Sequence, residues 1–79
     1  MDDIKVSIKY AAPMFRIRVV EPDGAISVYG GRSVEEAHRK LLAGRERLSK
    51  ILVGQGESPQ SWESALIAKV NQHVSEFCG

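Results

Sequence analysis

Apolar and polar residues alternate in two short runs near the beginning of the chain. Every second residue is apolar in "IKVSIK" (residues 4–9) and again in "FRIRV" (residues 15–19). A period of two is typical of a β-strand with one buried face. The pattern therefore predicts strands over about residues 4–10 and 15–21, with "AAPM" as the connector between them.

A third short strand is predicted after a turn. The residues "EPDG" (21–24) favour a turn, because Pro presets one dihedral angle and Asp-Gly tolerates unusual ones. The following "AISVYG" predicts a strand over about residues 25–30, with Ile26 and Val28 on its buried face. The turn makes a hairpin of the second and third strands.

The periodicity then becomes helical. Ser33 and Glu36 match a capping box, which predicts a helix over about residues 34–53. Its apolar stripe consists of Val34, Ala37, Leu41, Leu48 and Leu52. Gly44 lies beside the stripe, where it either permits close packing on the sheet or interrupts the helix.

A second helix is predicted over about residues 59–77. Ser58 is the expected N-cap and Pro59 lies in the first turn. The stripe of this helix consists of Trp62, Leu66, Val70, His73 and Phe77. The order predicts one α+β domain over residues 1–79: an antiparallel three-stranded sheet followed by two helices, both packed on one face of it.

The composition is that of one small domain. The chain has 79 residues, with 11 Lys and Arg against 10 Asp and Glu, so any attraction to a polyanion must come from where the charges lie. A single cysteine excludes an internal disulfide. No apolar run approaches a membrane span, and the N-terminus does not resemble a signal peptide, so we expect a cytoplasmic protein without a membrane partner.

Positive charge is concentrated between the buried positions of the first two strands. If the apolar residues point inward, the outward side chains include Lys5, Lys9, Arg16 and Arg18, with Ser27 and Tyr29 added by the third strand. Like charges that face each other across strands are destabilising. The pattern therefore favours an anionic ligand, since Lys and Arg contact phosphates. The same residues are also common on solvent-exposed strands and protect sheet edges.

Residues 4–43 resemble the three-stranded-sheet-plus-helix DNA-binding domains of the ethylene-response-factor type and the arm-site-binding N-terminal domains of tyrosine integrases. The shared segments are "FRIRVVEPDG", "AISVYGG" and "RSVEEAHRKL". The resemblance implies that the sheet lies in the major groove and that DNA is contacted by Lys5, Lys9, Arg16, Arg18 and Tyr29. The chain departs from the pattern because its first two strands lack the typical aromatic residues, and its second helix has no counterpart in the minimal fold.

The helices offer candidates for a subunit interface. Arg45 lies within the first apolar stripe, where it either extends its stem to solvent or meets a carboxylate, including one across an interface. The second helix has a broad apolar sector that favours a homodimer, or packs on the first helix within one subunit. The candidate interface residues are Arg45, Trp62, Leu66, Ile67, Val70 and Val74.

No motif for catalysis or for metal binding is present. His38, His73 and Cys78 lack ligand spacing. No nucleophile, base and oxyanion site are placed together, so we predict no enzyme, metal or cofactor. The sequence predicts a small nucleic-acid-binding protein, such as a regulator or a recombination accessory factor. The alternative is a protein-interaction module, an inhibitor or adaptor of the kind phages encode, acting as a homodimer or on an acidic protein.

Overall fold

Three antiparallel strands followed by two helices form the domain. The computed structural model describes residues 4–58 and 60–78. The elements are β1 (Lys5–Ala11), β2 (Met14–Val20), β3 (Ile26–Gly31), α1 (Val34–Gly54) and α2 (Glu63–Cys78). The sheet order is β1-β2-β3, with β2 in the centre. The predicted α+β fold is confirmed.

Both helices pack on the same face of the sheet, which is called the inner face below. α1 contacts β2 and β3, whereas α2 contacts β1 and α1. The buried core between them consists of Ile4, Ile17, Val19, Val34, Ala37, Leu41, Leu66, Val70 and Val74. The strand residues of this core, Ile17 and Val19, both lie on the inner face, and no helix of the described residues packs on the opposite, outer face.

The phase of β3 differs from the prediction. Tyr29 is paired with Ile17, and Ser27 is paired with Val19. Directly paired residues of antiparallel strands lie on the same face, so both side chains point inward, contrary to expectation. The Tyr29 ring packs against α1 at Gly44, where a Cβ atom would lie only 3.1 Å from Tyr29 Cε1. Gly44 therefore permits close packing on the sheet, as one of the two predictions had it.

The apolar residues of β3 consequently point outward. Ile26 is 54% exposed and Val28 is 55% exposed. The prediction that they belong to the core was wrong, because a shift of one residue in phase transfers every side chain of a strand to the other face. This shift gives the outer face an aliphatic component that the sequence pattern did not indicate.

The start of α1 is capped as predicted. Ser33 is the N-cap, and its Oγ accepts a hydrogen bond from the Glu36 backbone N–H at 3.1 Å. The Glu36 carboxylate accepts a hydrogen bond from the Arg32 backbone N–H at 3.3 Å. This bond, together with nearby Lys40, holds the pKa of Glu36 below its ordinary value. The Ser33 side chain thus satisfies the amide of Glu36, whereas Glu36 binds the amide of Arg32, one residue before the N-cap amide that a capping box pairs with it.

α1 extends beyond the sheet. Its 21 residues span about 31 Å, whereas a strand of seven residues spans about 23 Å. Leu48 and Leu52 belong to the predicted apolar stripe, but Leu48 is 41% exposed and Leu52 is only partly buried. The helical stripe is present, but it is less buried in the last two turns of α1 than near the start of the helix.

α2 begins later than predicted. The helix starts at Glu63 after a turn at residues 61–62, and Ser58 is not its cap. Pro59, expected in the first turn, lies outside the described residues. The Glu63 carboxylate binds a side chain of α1, so a long-range contact fixes this helix start. Within the described ranges, neither helix is long and apolar enough to cross a membrane.

Candidate functional site

The outer face of the sheet is the main functional candidate. Its strand residues are Lys5, Ser7, Lys9, Ala11, Met14, Arg16, Arg18, Val20, Ile26, Val28 and Gly30. The four cations predicted to share one face do share it, and all four are exposed. No acidic residue belongs to the outer face of these strands.

The four cations on this face, Lys5, Lys9, Arg16 and Arg18, are called the basic patch below. Lys9 is paired directly with Arg16 across β1 and β2, and Ser7 is paired with Arg18. Directly opposite residues have Cβ atoms about 5 Å apart, so two positive charges face each other at this pair. Among the residues that the structure describes, no carboxylate oxygen lies within 4.0 Å of the basic patch. Within the described ranges, its positive charge is therefore not offset by an ion pair.

A shallow depression of about 220 Å³ opens on the outer face. It is lined by Lys9, Ala11, Arg16, Arg18 and Val28. Three cations thus border one concavity whose remaining walls are small and aliphatic. Such a surface can hold an anionic group while burying the aliphatic stems of its Lys and Arg side chains.

Tyr29, predicted as a contact residue, is absent from this face. It points inward and packs against Gly44, so an outward role for it was wrong. In its place the outer face of β3 presents Ile26 and Val28. The signal that indicates this phase is the Pro-Asp-Gly turn, because a hairpin turn fixes the pairing of its two strands.

Arg45 forms a buried ionic cluster within the chain rather than a subunit contact. Its side chain is 4% exposed. Its guanidinium donates to Glu21 Oε1 at 2.9 Å and, through two nitrogens, to both carboxylate oxygens of Glu63, one of them at 2.7 Å. Its Cζ lies 5.7 Å from the centroid of the Trp62 ring. The hydrogen bonds to Glu63 and then Glu21 raise the pKa of Arg45 above its ordinary value, although burial opposes this.

The remaining interface candidates also lie mainly inside the subunit. Leu66, Val70 and Val74 are buried in the core, while Trp62 and Ile67 are partly buried against it. Leu66, Val70 and Val74 are therefore unavailable to a second copy, and their prediction as an interface was wrong. The alternative, that this side of α2 packs within one subunit, is the arrangement found.

The histidines do not form a metal site in the described part of the chain. His38 Nε2 forms a hydrogen bond with Asn71 Oδ1 at 2.7 Å, which joins α1 to α2. No group of three His, Cys, Asp or Glu side chains converges among residues 4–58 and 60–78. The basic patch thus remains the candidate for a binding function.

Comparison with protein-family models gives no match, and comparisons with curated proteins and with solved structures give none either. The resemblance to sheet-based DNA-binding domains therefore stays a prediction, and the function must be argued from the geometry of the outer face.

Proposed function

We propose that this domain binds nucleic acid through the outer face of its sheet. The observation that supports the proposal is the basic patch: four exposed cations on one open face, with no carboxylate partner in the described residues. Lys and Arg side chains supply most protein contacts to phosphate oxygens. A face of this kind attracts a polyanion even though the net charge of the chain is only +1.

The lysines and the arginines of the basic patch have different roles in binding, because their side chains differ chemically. Lys5 and Lys9, on the edge strand β1, neutralise phosphates as mobile point charges. Arg16 and Arg18, on the central strand, present planar guanidinium groups that can bind a phosphate or a guanine edge with two hydrogen bonds. The protein would then act as a small regulator or a recombination accessory factor rather than as an enzyme.

The dependence of affinity on salt tests this proposal. If the four cations each neutralise one phosphate, the logarithm of the association constant should fall with the logarithm of salt concentration with a slope near −3.6 for duplex DNA. This slope corresponds to a loss of about 150-fold in affinity between about 50 and 200 mM salt. Fluorescence anisotropy with labelled 20-base-pair duplexes of several sequences measures it.

Two outcomes contradict the proposal. The first is no detectable binding of duplex DNA, single-stranded DNA or RNA at about 50 mM salt. The second is binding whose affinity does not fall as salt concentration rises. Contacts between a basic patch and phosphates release counterions, so their affinity must depend on salt. Measuring single-stranded DNA and RNA in parallel identifies the preferred nucleic acid.

A protein-interaction module is the second candidate, and the exposed aliphatic residues of β3 favour it. Ile26 and Val28 are both more than half exposed beside the basic patch, and a surface that combines apolar and basic residues also fits an acidic protein. Isolation of one stoichiometric partner from cell extract, unaffected by nuclease, would support this candidate over nucleic acid.

A further inference from the structure

β3 is an edge strand, and no further strand pairs with it among residues 4–58 and 60–78. Its sequence "ISVYGG" has no charged residue and no proline, and two of its side chains are exposed and aliphatic. Natural proteins protect edge strands with charge, proline or bulges, because a bare edge pairs with another strand. The other edge of the sheet, β1, carries Lys5 and Lys9 and is protected in this way.

The turn between β2 and β3 determines which backbone groups of β3 are free. The Glu21 N–H donates to the Ala25 carbonyl at 2.8 Å, so this pair is hydrogen-bonded. Bonded and non-bonded pairs alternate along an antiparallel ladder. The register places Val28 opposite Arg18, in a non-bonded pair. The N–H and C=O groups of Ile26, Val28 and Gly30 therefore point away from β2, towards the free edge.

These free groups are self-complementary. When two copies of β3 pair antiparallel about a two-fold axis at Val28, Val28 meets its own equivalent and Ile26 meets Gly30 of the second copy. In all three pairs (Val28 with Val28, Ile26 with Gly30, and Gly30 with Ile26 of the second copy), the backbone groups are oriented to exchange hydrogen bonds. One register therefore satisfies all of them, as a two-fold axis requires. The exposed Val28 side chains of the two copies then cover each other on the outer face.

The distribution of charge selects this edge over β1. Antiparallel pairing of two β1 strands about Ser7 would place Lys5 opposite Lys9 of the second copy, which is destabilising. Pairing through β3 places Arg18 three strand spacings from its equivalent, about 14 Å away. This separation exceeds the Debye length of about 8 Å at physiological salt, so the two basic patches repel each other little.

We propose that the protein forms a homodimer by pairing β3 with β3 of a second copy, giving one six-stranded sheet. Its outer face carries both basic patches in one plane, related by the two-fold axis. Pairing itself does not depend on nucleic-acid binding, whereas the use of the joined face rests on the proposed function. A dimer therefore binds a two-fold-related pair of anionic segments.

Light scattering after gel filtration tests the pairing with two substitutions at one position. The unmodified protein should have twice the chain mass of 8.7 kDa. Val28→Pro removes the outward N–H without removing a bond to β2, so it should give the single-chain mass with an unchanged circular dichroism spectrum. Val28→Thr keeps the N–H and the branched shape, so it should remain a dimer.

Cross-linking decides the case in which Val28→Pro does not fold. Equivalent residues of a hydrogen-bonded pair have Cα atoms about 5.5 Å apart, within the range of a disulfide. The variant Val28→Cys with Cys78→Ser should therefore form a disulfide-linked dimer on mild oxidation, whereas Ala11→Cys with Cys78→Ser, at the β1 edge, should not. A monomeric unmodified protein at about millimolar concentration, or a folded Val28→Pro dimer, overturns the proposal. The salt-dependence measurement is independent of both results.

Discussion

Replacing Arg45 with Ala is expected to lower the free energy of unfolding by about 3 to 5 kcal/mol, because it leaves Glu21 and Glu63 without their common partner. Both carboxylates are largely buried, at 12% and 16% side-chain exposure. The substitution also removes the guanidinium group, whose Cζ lies 5.7 Å from the centroid of the Trp62 ring. Since small domains have a thin margin of stability, this one change should unfold much of the protein at 37 °C. Urea denaturation followed by circular dichroism measures it.

Two comparisons separate this ionic cluster from a general effect of losing an arginine. Arg39→Ala removes an exposed arginine of the same helix and should change stability by less than about 0.5 kcal/mol. The triple variant Arg45→Met, Glu21→Gln, Glu63→Gln removes all three charges and should be more stable than Arg45→Ala alone. If Arg45→Ala is as stable as Arg39→Ala, the cluster does not hold β2, α1 and α2 together.

Replacing Arg16 and Arg18 together with Gln is expected to weaken binding to duplex DNA by roughly 60-fold at about 0.1 M salt, because two phosphate contacts are lost. The salt slope should become less steep by about 1.8. Gln keeps much of the side-chain length, and both positions are exposed on the outer face, so the fold should persist. Anisotropy titrations at several salt concentrations measure both effects.

The matched control removes the same charge from another surface. Arg39 and Arg47 are exposed on α1, which packs on the inner face. Arg39→Gln with Arg47→Gln lowers the net charge equally but leaves the basic patch intact. Equal losses of affinity in the two double variants would mean that net charge, not the outer face, drives binding.

The first two strands were predictable because their period of two is uninterrupted. Ile17 is fully buried and its neighbours Arg16 and Arg18 are exposed, so local alternation was enough to place the basic patch on one face. The capped start of α1 was predictable for a similar reason, since Ser33 and Glu36 are three residues apart and act locally. These two predictions, which rest on near neighbours in sequence, were confirmed.

The phase of β3 was not predictable from polarity. Ile26 and Val28 are more apolar than Ser27 and Tyr29, yet they point outward. The tyrosine ring takes the inner position because Gly44, fifteen residues later in the chain, leaves space for it on α1. Packing between elements here overrides the simple pattern, as it does in strands whose two faces are both partly apolar.

The ion-pair partners of Arg45 were also not predictable from the sequence, because they lie far from it along the chain. Glu21 and Glu63 lie 24 and 18 residues away in sequence, so no local spacing connects them with Arg45. The same long-range contact sets the start of α2, which the Ser-Pro signal placed too early. α1 is longer than the strands, and this difference is related to the exposure of Leu48. It could be recognised only once the length of the sheet was known.

The most direct test of the basic patch as the binding surface is a nuclear magnetic resonance titration of the ¹⁵N-labelled protein with a short DNA duplex. We predict that backbone amides around Lys5, Lys9, Arg16 and Arg18 shift strongly, while those of the buried face of α2 do not. Shifts confined to the helices, or no shifts at equimolar duplex and low salt, would contradict it.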